Sequence, residues 1–323
     1  MNAPRHRRYC LISPCRDEAD HCRRTLDSVV RQSIPPALWV IVDDGSRDAT
    51  PAILEEYARR YGFIRVIRRE DRGGRSVGPG VVDAFYAGYR SIDTADYPYL
   101  CKLDLDLDLP PRYFETLIER MEANPRLGTC SGKAYYPSPR TGRLVSERLG
   151  SEMSAGMTKF YRRVCFEQVG GFVREVMWDG IDCHRCRMLG WQAASWDEPD
   201  LRFVHLRPMG TSQRTVWAGR MRHGYGQYYM GTSPVYMLAS TAYRMGQRPY
   251  VAGALATAWG YSRAMLRREP RYDDLTFRRL LRRYQWACLL LGKASATRRL
   301  EARRARQWTV RVSVGEPLAG GGA

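Results

Sequence analysis

Residues 38–51 read LWVIVDDGSRDATP. The apolar run Leu38 to Val42 predicts a short strand. It ends in Asp43-Asp44-Gly45-Ser46. Thr50 then reads as a helix N-cap with Pro51 at the first helical position. Ile53, Leu54, Tyr57, Ala58 and Tyr61 form the apolar face of the helix that follows. A strand, a polar loop and a helix in direct succession make one unit of an α/β fold.

The same unit recurs on either side. YCLIS (9–13) predicts a strand, and Ala19, Cys22, Leu26, Val29 and Val30 follow at helical spacing. FIRVI (63–67) is a third strand, and the Gly-rich turn DRGGRSVGPG leads into a helix through Val82, Phe85 and Tyr89. YPYLCKLD (97–104) is a fourth, with a helix marked by Tyr113, Phe114, Leu117, Ile118 and Met121. Such alternation predicts a mostly parallel sheet with helices on both faces. Ligands of these sheets bind beyond the carboxyl ends of the strands. Three polar clusters fall there: PCRDE, DDGS and DLDLDLP.

The third cluster lies in KLDLDLDLPPRYF (102–114). Aspartate is depleted in strands, and like charges on one face repel. A carboxylate pair after a strand instead suits a hard divalent cation, which takes oxygen ligands and bridges protein to phosphate. D-x-D alone is a weak signal.

The chain has 323 residues and a net charge of +18. Only Lys102, Lys133, Lys159 and Lys293 are lysines, so the positive charge is almost all arginine, the side chain that grips phosphate in bidentate fashion. Such a balance fits nucleotides, nucleic acid or an anionic membrane. Nine scattered cysteines argue against a disulfide framework and for a reducing, cytoplasmic setting. No signal-peptide core or membrane-spanning run is legible.

Taken in order, PCRDEA, VDDGSRDAT, the glycine-rich turn, KLDLDLDLPP, then GGF and WDGIDCHRCRMLGW resemble the family 2 glycosyltransferases of GT-A type, over about residues 8–206. That family carries P-x-x-N-E after its first strand, V-D-D-G-S, a D-x-D before proline, and E-D near a helix start. The resemblance implies a GT-A fold in residues 8–210 and a nucleotide-diphosphate sugar as donor. Pro14, Arg16 and Glu18 then fall in the base-binding loop, Asp43 and Asp44 beside base and ribose, and Arg75 toward the nucleotide. Asp104 and Asp106 match the D-x-D, with Asp104 near ribose or metal and Asp106 on Mg²⁺ or Mn²⁺. Pro111, five residues past Asp106, sets that register and leaves Asp108 outside it. His205 in VHLRPMG falls where some GT-A enzymes have a metal ligand, although a lone histidine is more often structural.

Trp178-Asp179 stands where the family has Glu-Asp. Asp179 lies eleven residues before Gly190-Trp191, and Arg185 takes the usual basic position. Asp179 is thus the candidate general base, with Asp182 its rival and helix capping its plainer role. QRTVWAG (213–219) matches the processive Q-x-x-R-W at Gln213 and Trp217, but Val216 replaces the arginine. Arg214, Arg220 and Arg222 lie within reach of the diphosphate or on a solvated face. Cys183 and Cys186 lack the second pair a zinc site needs and read as core.

GTCSGKAYY (128–136) predicts one strand and Asp179–Leu189 a helix. Residues 211–307 predict a basic helical region, either packed on the core or lying on an anionic membrane at 225–266 and 276–306. Residues 308–323 predict a tail that is disordered at its end, EPLAGGGA (316–323). The function expected is inverting transfer from a UDP-sugar, or a GDP- or dTDP-sugar, to a glycan or lipid-linked acceptor. A nucleotidyltransferase would want glycines directly after the first strand, which PCRDEAD lacks. A nucleic-acid-binding protein would want a recognition motif, and none is present.

Overall fold

In the first strand, β1 (Tyr9–Cys15), every residue is buried, and alternate residues feed two different cores. Tyr9 and Leu11 pack under α1 (Cys22–Val30), α2 (Thr50–Arg60) and α4 (Tyr113–Ala123). Cys10 and Ile12 pack under α3 (Pro79–Tyr89), α5 (Arg163–Gln168) and α6 (Trp178–Met188). A strand that must be apolar on both sides reads as a continuous hydrophobic run, and helices cover both faces of its sheet. The computed structural model describes residues 4–71, 73, 78–138, 141–207, 215–246 and 250–308.

That sheet has seven strands in the order β10-β6-β9-β4-β1-β2-β3. They are β2 (Leu38–Asp43), β3 (Ile64–Arg68), β4 (Tyr99–Leu103), β6 (Leu127–Ser131), β9 (Thr158–Arg162) and β10 (Gln192–Ser195), around β1. Pairing is parallel at β1–β2, β1–β4, β2–β3 and β6–β10, and β9 runs antiparallel to β4 and β6. The carboxyl ends of β1, β2 and β4 therefore open on one edge.

A second sheet was not legible beforehand. It has four short strands in the order β5-β11-β7-β8: β5 (Leu107–Asp108), β7 (Lys133–Pro137), β8 (Leu144–Ser146) and β11 (Arg202–His205). The single strand expected over 128–136 is in fact two, β6 and β7, in different sheets. The break is at Gly132, whose N–H donates to the Tyr113 hydroxyl at 2.9 Å. A Cβ there would overlap the Leu201 carbonyl oxygen. Helix α2 also corrects its expected cap. It begins at Thr50, and the Asp48 carboxylate, two residues earlier, accepts from the Thr50 N–H at 2.9 Å. The Thr50 hydroxyl instead accepts from the Glu18 N–H at 2.8 Å and ties the first two loops together.

Five helices follow: α7 (Val216–Met230), α8 (Pro234–Met245), α9 (Tyr250–Leu266), α10 (Leu275–Leu291) and α11 (Lys293–Arg304). Helices α10 and α11 dock on α6. Phe277 and Leu281 bury against Ile181 of α6 and Met230 of α7. Arg187 of α6 donates from Nε to Glu301 at 3.1 Å, and Trp308 meets Trp191 edge-on at 5.8 Å. Much of the basic segment 276–306 is therefore fastened to the core. Among the described residues no helix is long and apolar enough to cross a membrane.

Replacing Gly132 by alanine forces the β6–β7 junction away from the Leu201 carbonyl. Gly132→Ala is expected to lower unfolding stability by about 1–3 kcal/mol, as overpacking does. Gly62→Ala, where no atom lies within 4 Å of the new Cβ, should stay within about 0.5 kcal/mol by denaturant titration.

Candidate active site

The edge shared by β1, β2 and β4 collects the acidic residues. Pro14 is buried in β1 opposite Val42, and Arg16, Asp43, Asp44 and Asp104 lie at or just past the strand ends. Each carboxylate has a cationic or N–H partner. Asp43 Oδ1 accepts from the Ser46 N–H at 2.9 Å, with Arg68 Nε 3.7 Å from Oδ2. Asp44 Oδ1 accepts from Arg69 Nη1 at 2.8 Å, and its carbonyl oxygen from Arg16 Nη1 at 2.9 Å. Asp104 accepts from Lys102 Nζ at 2.5 Å, and that ammonium also donates to the Gly156 carbonyl at 3.0 Å. Arg75, Gln213 and Arg214 lie outside the described residues.

Asp106 is buried too, and it has two cationic neighbours. Arg207 Nη2 bridges Asp106 Oδ2 at 2.9 Å and Glu18 Oε1 at 2.6 Å. His205 Nε2 stands 3.5 Å from the same Oδ2. The second sheet sets this up. Strand β11 pairs antiparallel with β5, with His205 opposite Leu107, and the Leu206 N–H donates to the Asp106 carbonyl at 2.8 Å. The far ring nitrogen of His205, Nδ1, meets both Glu147 carboxylate oxygens at 3.0 and 3.1 Å. Burial works against the His205 imidazolium, but Asp106 and Glu147 outweigh it and lift its pKa to about 9. Burial likewise opposes ionisation of Asp106, and His205 and Arg207 more than reverse that, holding the carboxyl below its ordinary range.

Whether these residues fit a divalent cation can be judged from Asp106 itself. Its Oδ1 is buried and has no hydrogen-bond partner among the described residues. A buried, unpaired carboxylate oxygen is costly and asks for a ligand. An imidazole beside it, oriented by a carboxylate on its other nitrogen, is the usual arrangement of a histidine metal ligand. The described residues offer no ready cluster of three or more such ligands. The fit is therefore to a cation held by one or two side chains and completed by phosphate and water, the habit of Mg²⁺ and its relatives.

Helix α6 presents the two rival bases differently. Asp179 sits half-buried in its first turn, its side chain against Gly156. Gly156 also accepts from Lys102, so contacts run from Asp104 through Lys102 and Gly156 to Asp179. Asp182 faces inward and is only 1% exposed. Its Oδ1 is 2.5 Å from Lys159 Nζ, and its Oδ2 accepts from the Tyr161 hydroxyl. Burial disfavours the Lys159 ammonium, yet the Asp182 carboxylate overrides it and keeps that lysine charged. The Asp182 carboxylate is thus shut away from any acceptor. Asp108, the third aspartate of the run, turns aside to Arg24 at 2.9 Å.

Several participants escaped the sequence reading. Asp71, in the loop after β3, accepts from Arg16 at 2.5 Å and from Arg47 Nε at 2.6 Å, and so joins the first two loops to the third. Arg16, the Gly73 N–H and Arg47 together draw its pKa down to about 2. Arg207 could have been found, because it lies two residues from His205 and period two sets both on one side. Glu147 carries no such signal. Cys183 and Cys186 are buried, as expected of core residues, and all nine cysteines are free thiols.

Two solved structures share this architecture. A mannosyltransferase from Pyrobaculum calidifontis, determined with GDP-Man and Mn²⁺, matches with a TM-score of 0.52 at 21% identity over 94% of this chain and 89% of that one. Residues 1–349 of Staphylococcus aureus TarS match at 0.51 with 13% identity over 93% and 89%. At those identities the likeness is one of fold, and the fold is the GT-A fold of glycosyltransferases. The family assignment comes from the sequence: residues 10–178 match the model of glycosyl transferase family 2, and the chain belongs to that family. The putative glycosyltransferase EpsH of Bacillus subtilis is 26% identical over 161 residues, 50% of this chain and 42% of that protein. The poly-beta-1,6-N-acetyl-D-glucosamine synthase of Staphylococcus epidermidis is 31% identical over 125 residues, 38% and 27%. The chain thus spans less than half the length of these curated relatives.

Asp182→Asn would leave Lys159 charged and uncompensated in the interior. Unfolding stability is expected to drop by about 3–5 kcal/mol. The half-buried Asp179→Asn should change it by no more than about 0.5 kcal/mol. Thermal or denaturant melts of the two variants separate a structural aspartate from one available for chemistry.

Proposed function

We propose that the chain is an inverting, divalent-cation-dependent glycosyltransferase. It moves a sugar from a nucleoside-diphosphate donor to a hydroxyl of a glycan or lipid-linked acceptor. The observation that carries this is the buried Oδ1 of Asp106, without a hydrogen-bond partner among the described residues, beside His205 at the carboxyl edge of the sheet. Asp106 and His205, with Asp104 close by, would hold Mg²⁺ or Mn²⁺, and the bound cation supplies positive charge to the leaving diphosphate.

The residues around them divide the remaining work. Asp43 and Asp44 accept hydrogen bonds from the base N–H and ribose hydroxyls, and the Pro14–Glu18 loop, with Arg16 fixed by Asp71, closes the base pocket. Arg75 serves the nucleotide. Asp179 takes the proton of the acceptor hydroxyl as its oxygen attacks the anomeric carbon. The carbon–oxygen bond to the diphosphate breaks on the opposite face, so configuration inverts. A UDP-sugar is the first donor to try, since the Staphylococcus epidermidis relative is a synthase of N-acetylglucosamine polymer. The GDP-Man in the Pyrobaculum structure keeps GDP-sugars in view. Nine free thiols suit a reducing, cytoplasmic setting. Exposed apolar side chains on α8 and α9, among them Leu238, Val251 and Trp259, suit work at the inner face of a membrane.

Asp106→Ala and Asp179→Asn should each reduce sugar transfer by about 10²–10⁴-fold while the protein stays folded. The assay is release of nucleoside diphosphate from a panel of sugar donors, and full activity in both variants refutes the assignment. The correct donor at a hundred times its Kd should stabilise the protein by about 2.7 kcal/mol. That gain should vanish when EDTA removes Mn²⁺, as read by thermal shift.

A further inference from the structure

Helices α7 and α9 approach backbone to backbone. A Cβ on Gly224 would overlap the Thr257 carbonyl, and one on Gly260 the Met221 carbonyl. Beside this contact lies a cavity of about 260 Å³ lined by Met221, Arg222, Tyr225, Arg263, Arg267 and Glu269. Three guanidinium groups and one carboxylate thus border it, a net positive lining. Nη1 of Arg222 is buried and has no hydrogen-bond partner among the described residues. Burial depresses the Arg222 pKa. Proteins do not ordinarily leave a guanidinium nitrogen desolvated and unpaired, and a bound anion would satisfy it.

Helix α7, which lines the cavity, also touches the segment that leads into α6. The Tyr225 hydroxyl lies 3.4 Å from Glu175 Oε2. One residue on, Gly226 packs directly against the Met177 side chain. Met177 immediately precedes α6, whose first turn carries Asp179. A second hollow of the same helix pair is lined by the exposed Trp217, Leu255 and Trp259. The pair therefore offers an anion site and an apolar, tryptophan-bearing face side by side, which matches a molecule with a phosphate head and a hydrocarbon tail.

We propose that the α7–α9 cavity is a phosphate-binding subsite for the acceptor, and that this phosphate or diphosphate ester is carried on a lipid. The proposal rests on the glycosyltransferase reading above and names the acceptor's class. Arg222, Arg263 and Arg267 grip the ester, Glu269 limits the charge it accepts, and the grip presents the acceptor hydroxyl on the Asp179 side.

The test uses the full chain. In EDTA, where the donor site lacks its cation, inorganic pyrophosphate is titrated calorimetrically into wild type, Arg222→Gln and the Arg263→Gln, Arg267→Gln double variant. Each variant should lose about tenfold or more in affinity, the worth of a charge-assisted hydrogen bond. Melting curves check that both stay folded, as expected when Arg222 is only half-buried and Arg263 and Arg267 are exposed. With Mn²⁺ present, UDP affinity should remain within about twofold of wild type, because donor contacts are untouched. Unchanged pyrophosphate binding in the variants overturns the subsite. A fall in UDP affinity assigns these arginines to the donor diphosphate and overturns it equally. In the lipid arm, wild type should float with phosphatidylcholine vesicles only when they contain phosphatidic acid, and Arg222→Gln should not. Pyrophosphate binding without vesicle flotation supports the subsite and overturns its lipid assignment. Pyrophosphate binding by a protein that binds no nucleotide sugar would fault the transfer reading while the anion site stands.

Discussion

Parallel strands end together, and here that brings like charges together. Because β1, β2 and β4 run the same way, Glu18, Asp43, Asp44, Asp104 and Asp106 gather at one edge of the sheet. Their mutual repulsion in a partly dry cleft is the constraint that the surrounding structure answers. Arg207 spans Glu18 and Asp106, Arg69 meets Asp44, and Lys102 meets Asp104. Each of these ties joins segments far apart in the chain or stiffens a loop tip. Neutralising the carboxylates and fixing the geometry of the cleft are therefore one process. The large positive balance is not a diffuse property of the chain. Part of it is spent where the fold concentrates negative charge, and another part lies on α7 and α9.

The choice between lysine and arginine follows the same logic. An ammonium is a compact point charge, whereas a guanidinium needs room for its planar fork. Lys102 and Lys159 stand opposite each other on β4 and β9, and the Trp178 ring is 5.3 Å from one ammonium and 5.7 Å from the other. Trp178 is the residue just before Asp179. Lys159 also donates to the Asp179 carbonyl at 2.6 Å. The start of α6 is thus held by two buried cations, one aromatic ring and the buried Asp182, while α10 and α11 press on its other side. That gives the half-buried carboxylate of Asp179 a rigid mount, which its proposed role as proton acceptor requires.

The strand–loop–helix units, both helical layers and the acidic strand ends were legible because each rests on local pattern. Apolar runs of five or more residues and faces of three to four turns carry periodicity that survives without tertiary knowledge. The second sheet was not legible. Its strands run from two to five residues, too short to show a period, and β5 is embedded in a run of alternating Leu and Asp that reads as a continuation of β4. With that sheet hidden, Glu147 had no reason to meet His205, fifty-eight positions away. Asp71 was lost among the charges of a glycine-rich turn. Asp179 was preferred to Asp182, one helical turn on, by its spacing from Gly190-Trp191 alone, and burial adds a physical ground that the sequence does not carry. The Thr50 cap missed by a single position: Asp48 accepts from the Thr50 N–H, and the Thr50 hydroxyl is taken by the Glu18 N–H of the first loop. In each case the decisive partner came from another element.

Three of the four lysines, Lys102, Lys133 and Lys159, are buried with their ammonium groups occupied. Only Lys293, at the start of α11 and paired with Glu152, is open to solvent. Among side-chain amines the folded protein is therefore nearly monovalent. Apart from the chain's α-amine, amine-directed coupling, whether of a dye or a solid support, would attach through one helix end on the C-terminal helical layer and leave the carboxylate-lined cleft unlabelled, so an arginine-rich surface presents such reagents with a single side-chain handle.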